Sequence, residues 1–142
     1  MSQATYEDVN LILKLYGLRR DEKLRAARAW FLAECKPKNA QGLMEMCPPG
    51  SENNARFRMV VSYWDMVASF VTAGVLNEEL LAQSGNELLL TWERIKPLVN
   101  DLRAFLRDPG AWRHLETVGG SFAERMKKRG AYEGFLERVV GS

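Results

Sequence analysis

The stretch from Arg56 to Thr72, RFRMVVSYWDMVASFVT, constrains this chain more than any other. Wound as a helix, it places Phe57, Val60, Val61, Trp64, Val67, Ala68 and Val71 on one apolar face. Met59, Tyr63, Met66 and Phe70 make a second. Between them runs a thin polar stripe of Arg58, Ser62, Asp65, Ser69 and Thr72, at steps of four, three, four and three. A helix that is apolar over most of its circumference belongs at the centre of a fold, with neighbours on more than one side. The expected architecture is all-α: an irregular bundle of five to seven helices around this central one.

The rest of the chain supplies those neighbours. Tyr6, Val9, Leu13 and Tyr16 recur at helical spacing, and Leu24, Ala27 and Phe31 resume the pattern, so one long helix, or two nearly collinear ones, is expected over about 5–34. Gly17 offers a break, whereas Asp21 and Arg25, four residues apart, support continuation. Residues 36–51 read as a loop with a short helical turn from Asn39 to Met46, ended by Pro48, Pro49 and Gly50. The core bundle is expected over about 52–140. Glu87 to Arg107 carries the stripe Leu88, Trp92, Ile95, Val99, Leu102 and Leu106, and Pro97 should kink it. Asp108 is expected to cap a helix beginning at Pro109. Gly119 and Gly120 should break that helix, and Ser121 should start the last one. No segment alternates as a strand does.

Composition bounds the functional classes. A chain of 142 residues fits one domain, expected here over 1–142, with 46% hydrophobic and 27% charged residues, as in ordinary globular proteins. A net charge of +2 demands neither nucleic acid nor an anionic membrane. The start, MSQATYEDVN, lacks the basic and apolar parts of a signal peptide, and no apolar run approaches the ~18 residues of a spanning helix. Cys35 and Cys47 form no C-x-x-C pair, so a reducing cytoplasm is the simplest setting, with a single disulfide as the alternative.

The segment SYWDMVASFVTAGVLNEELL, followed by LLLTWERIKPLVNDLRAFL, resembles a bacterial family of domains of unknown function. Its pattern is an aromatic-Trp-acid helix, a Gly turn, an acidic-leucine helix, then Trp-Glu and a proline. The matching residues are Trp64, Asp65, Gly74, Leu80, Trp92, Glu93, Pro97 and Arg103. The resemblance implies an all-helical fold and supplies no activity and no catalytic residues.

Motifs of known chemistry are scarce. The run after Val71 echoes the back half of an EF-hand loop, but with Gly74 at position six the ligand positions one, three, five and twelve fall on Ser69, Val71, Ala73 and Leu80, which cannot hold calcium. Gly74 and Asn77 read instead as the end of one helix and the cap of the next. His114 is the only histidine, so neither a zinc site nor a Ser-His-Asp triad has its parts, and no phosphate-binding glycine loop is present. No metal, cofactor or catalytic residue is assigned.

Three functions remain as expectations. The first is a cytoplasmic protein–protein interaction or scaffold module that self-associates, expected as a homodimer because a long N-terminal helix would reach past the monomer core and be buried by antiparallel pairing or exchange. The second is a nucleic-acid-associated protein using the basic stretches Arg19, Arg20, Lys23, Arg25, Arg28 and Arg125, Lys127, Lys128, Arg129. The third is an enzyme or small-ligand binder with a polar pocket lined by Asp65 and Glu93 beside Trp64 and Trp92. In the alternative to that pocket, both acids pair with arginines: Arg94 or Arg103 for Asp65, and Arg58 or Arg94 more generally.

Overall fold

The computed structural model describes residues 3–139. Among them are nine α-helices, one 3₁₀ turn and no strand. The central helix is α4 (Glu52–Thr72), capped by the Ser51 hydroxyl, which accepts from the Asn54 N–H. Val60, Val67 and Ala68 are wholly shielded from water, and Trp64 nearly so. α2 (Glu22–Glu34) lies against one side of α4 and α8 (Arg113–Lys128) against another, while α6 (Asn86–Ile95) closes on both α4 and α8. The second apolar face of α4 is covered only in part: Tyr63 is buried, Met59 and Met66 are exposed.

Of the two forms expected for the N-terminal segment, one long helix or two, the structure shows two. Two helices form, α1 (Tyr6–Leu18) and α2, and the break falls after Gly17, at residues 19–21. Asp21 causes it. Its carboxylate accepts from the backbone N–H groups of Lys23 and Leu24, so it caps α2 instead of pairing with Arg25. The two apolar segments consequently meet different fates. Leu24, Ala27, Trp30 and Phe31 of α2 are buried, whereas in α1 only Asp8 and Leu15 are.

α3 (Ala40–Met46), capped by Asn39, occupies the segment between α2 and α4. α4 ends at Gly74, whose φ of 79° needs no Cβ, and the Val75 and Leu76 N–H groups both return to the Phe70 carbonyl. Asn77 then caps α5 (Glu78–Ala82) through the Leu80 N–H. The stretch that echoed an EF-hand is a helix corner.

Pro97 divides the expected helix 87–107 into α6, a 3₁₀ turn at Lys96–Leu98 and α7 (Val99–Leu106). No helix begins at Pro109. Arg107 and Trp112 both take the left-handed conformation, and α8 starts at Arg113. Nor do Gly119 and Gly120 break α8. A Cβ at Gly119 would stand 2.6 Å from the Trp92 ring, so this glycine lets α6 and α8 approach closely. The turn to α9 (Tyr132–Val139) comes later, at Gly130 with φ 72°. The helix number exceeds five to seven because Asp21 and Pro97 each split a segment that periodicity alone joins.

Candidate functional site

Glu87, in the first turn of α6, points into the bundle. Arg28 of α2 grips it with two parallel bonds, Nε to Oε1 and Nη2 to Oε2, each 2.7 Å. Arg19, just past the end of α1, adds a third at 3.1 Å. Arg28 Nη1 also donates to the Arg19 carbonyl, tying the α1–α2 break to the same point. The three side chains are largely buried. Burial works to raise the Glu87 pKa, but the Arg28 hydrogen bonds and both guanidinium charges outweigh it, and the carboxyl titrates below its ordinary value. Arg28 is raised in turn, first by its bond to Glu87.

Aromatic rings enclose this cluster. The Arg19 guanidinium lies 4.8 Å from the Tyr16 ring centroid and 5.3 Å from that of Trp64. Tyr63 donates to the Leu15 carbonyl at 2.5 Å, and burial lifts its hydroxyl to about 12. Arg19 Nε and Trp64 Nε1 are buried with no partner at hydrogen-bond distance. Both residues line a cavity of about 20 Å³, enough for one water molecule. At the other end of α1, Asp8 accepts from the Thr5 N–H at 2.7 Å and the Asn77 N–H at 2.8 Å, and these bonds hold its carboxyl below the ordinary value.

These pins set the rotation of α1. With Asp8, Leu15 and Arg19 turned inward, Tyr6, Val9, Leu13 and Tyr16 face solvent, at 82%, 42%, 63% and 47% exposure. A helix with eight large apolar residues thus buries one of them completely, Leu15. The outer side of α1 thus presents an exposed apolar stripe.

The four residues singled out in the sequence do not form one polar pocket. Asp65 is half-buried and accepts from the Leu115 backbone N–H at 3.0 Å. That amide lies in the first turn of α8, which has no side-chain cap of its own, so Asp65 supplies the cap from another helix. Its expected cationic partners are engaged elsewhere. Arg94 donates to the carbonyls of Phe31, Leu32 and Val139, and Arg103 to the Ala111 carbonyl and the Glu116 carboxylate. Arg58 bonds Asn54. Glu93 is buried and accepts from the Tyr132 hydroxyl at 2.7 Å. It lines a cavity of about 250 Å³ with Lys36, Lys38, Arg94 and Pro97, and Asp65 is not part of that wall. Trp64 belongs to the Arg19 cluster and Trp92 packs on Gly119.

The basic stretches are neutralised in part, and Arg20, Lys23, Arg25, Lys128 and Arg129 are exposed. Arg19 and Arg28 serve Glu87. Arg125 binds Glu78, which also accepts from Ser121, and Lys127 binds Glu124 while lying over the Tyr132 ring. Lys128 and Arg129 line an open groove of about 790 Å³ together with Arg125, and Glu79 and Glu124 on the same wall offset part of that charge. His114 bonds Thr72 through Nδ1 at 2.7 Å. Among the described residues no three His, Cys, Asp or Glu side chains converge as a metal site, and no helix is long and apolar enough to cross a membrane. The residues that reading the sequence missed are Arg28 and Glu87 as a buried pair, and Arg19 with them. They stand far apart in the chain, and nothing in their local spacing marks the pairing.

An all-helical domain with a buried Arg–Glu–Arg cluster and an uncovered apolar helix is the class these features define. The chain belongs to the family described as a domain of unknown function, DUF4760, whose model matches residues 4–121 and so spans α1 as well as the central bundle. No curated protein and no solved structure matches the chain.

Proposed function

We propose that this protein is a self-associating interaction module whose contact surface is the outer face of α1. The observation that carries the reading is the exposed stripe Tyr6, Val9, Leu13 and Tyr16 on a helix otherwise pinned to the core. Four large apolar side chains in register on one helix leave a continuous strip in water, and covering it removes apolar area at roughly 25 cal/mol per Å². The helix is held rigidly through Asp8, Leu15 and Arg19, so little ordering cost opposes docking. α1 is a 13-residue helix about 20 Å long, so a pair of them buries at most the low end of stable interfaces, near ~1,200 Å² in total. The resulting dimer is concentration-dependent, not obligate.

The setting we propose is the cytoplasm. Cys35 and Cys47 are buried free thiols, and burial raises the Cys35 thiol to about 12, so both sit in inert, protonated form. Association with nucleic acid has less support, since Arg19, Arg28, Arg125 and Lys127 are engaged with carboxylates and the remaining cations of each stretch stand beside acidic residues.

Sedimentation equilibrium tests the proposal. Wild-type protein should move from monomer to dimer between micromolar and hundreds of micromolar concentrations. Leu13→Asp, placed where the side chain already meets water, should stay monomeric with an unchanged circular dichroism spectrum. A wild-type chain that remains monomeric throughout overturns the reading.

A further inference from the structure

Glu93 is a buried acid whose partners are incomplete. It stands in the last turn of α6, at a cavity of about 250 Å³ formed where α2, α6 and α9 end. Its Oε2 accepts from the Tyr132 hydroxyl at 2.7 Å. Burial, and then the Glu93 carboxylate itself, hold that hydroxyl up at about 12, so Tyr132 remains a donor. Oε1 has no donor among the described residues. Nor is it shut off from water as Arg19 Nε and Trp64 Nε1 are, so it opens on the cavity that Glu93 lines. A buried carboxylate with one neutral donor and no ion pair is undercompensated, and the missing group is a cation or a further hydrogen-bond donor.

The rest of the wall calls for the opposite charge. Lys36, Lys38 and Arg94 set three cations around this one acid. Arg94 spends its fork on backbone carbonyls and has no carboxylate partner among the described residues. Lys38 is exposed at the mouth and makes no ion pair among them either. A simple amine would answer Glu93 but be repelled by the lysines, and a simple carboxylate would suit the lysines but leave Glu93 unanswered. A zwitterion meets both. Pro37, Pro97 and Val139 supply the remaining wall, which offers aliphatic contact. The volume holds about eight water molecules, or one small organic molecule. We infer that this cavity binds a small aliphatic amino acid, with its ammonium group on Glu93 Oε1 and its carboxylate toward Lys38. The site does not include α1 and stands independently of self-association.

Three probes separate the charges. The full-length protein is titrated with norvaline, with butylamine, which is norvaline without its carboxylate, and with valerate, which is norvaline without its ammonium group. The ring signals of Tyr132 are followed by NMR. Norvaline should saturate in the millimolar range and move those signals, with butylamine and valerate each weaker by about tenfold or more. Glu93→Gln keeps the shape of the side chain and removes its charge. It should weaken norvaline by about tenfold or more and leave valerate as tight or tighter. Lys38→Ala, at an exposed position where folding is not at stake, should weaken norvaline several-fold and spare butylamine. Valerate binding as tightly as norvaline would make this an anion site, and butylamine doing so would make it a plain ammonium site; either result overturns the inference. So does the absence of saturable binding by norvaline up to about 10 mM, or a norvaline affinity that neither substitution changes.

Discussion

Gly119 shows how little tolerance a single position can have. A methyl group there would meet the Trp92 side chain at 2.6–2.7 Å, inside two helices that are both buried at that point. Gly119→Ala should therefore destabilise the protein by about 1–3 kcal/mol, by overpacking, although alanine is the better helix former. The neighbouring Gly120 has open space, and Gly120→Ala should be neutral or stabilising, by up to about 1 kcal/mol. Urea melts of the two variants, with opposite shifts of the midpoint, check this pair. Glu87 is sensitive for an electrical reason. Glu87→Gln would leave Arg19 and Arg28 facing each other without a counter-charge, at a cost of about 3 kcal/mol. Its pH signature has a definite sign. The folded-state pKa of Glu87 is depressed, so its contribution is complete above the ordinary glutamate value of 4.5 and is lost as pH falls through the lower, folded value. The wild type should lose more stability than Glu87→Gln on going from pH 5 to pH 3, as read by thermal melts at each pH.

Helices in this bundle finish one another's ends. Asp65 of α4 caps α8 at Leu115, and Arg94 of α6 binds carbonyls in the last turns of α2 and α9. An N-cap supplied across helices has the energetics of a local one, so Asp65→Ala should cost about 1 kcal/mol and Asp65→Asn much less, as measured by urea unfolding. A larger loss would have followed had Asp65 opposed a buried arginine, and the structure places a backbone amide there instead. Arg94 has the stricter requirement. Its fork meets three carbonyls at separate angles, and a lysine has one nitrogen to offer. Arg94→Lys should cost about 2 kcal/mol or more, with increased amide exchange at the end of α2 as the specific readout.

At the scale of the whole molecule the prediction concerns concentration. If two folded copies bind and two unfolded ones do not, stability rises with protein concentration by mass action. The wild-type melting temperature should climb by a few degrees between about 5 and 500 μM, while that of Leu13→Asp stays flat. Calcium or zinc at micromolar levels should leave both melting curves unmoved, since the Gly74 corner carries apolar side chains where ligands would stand.

Much of the fold follows from local chemistry that the sequence displays directly. The apolar circumference of 56–72 makes α4 central, Gly74 and Asn77 make the corner after it, and Pro97 interrupts the helix behind Trp92. Each effect arises within one turn of helix, so each is written in neighbouring residues. Other features depend on what arrives from elsewhere in the chain. Periodicity shows that Tyr6, Val9, Leu13 and Tyr16 share a face, but not that this face turns outward, because the rotation of α1 is set by Asn77, Tyr63 and Glu87. Two adjacent glycines read as a break until Trp92 occupies the space where one Cβ would lie. The arginines at 19 and 28 look like solvated charges until the fold brings Glu87 between them. Sequence by itself determined an all-helical bundle and most of its core. Tertiary structure alone decided which charges were buried and which apolar face was left in water, because both depend on groups that meet only after the chain has folded.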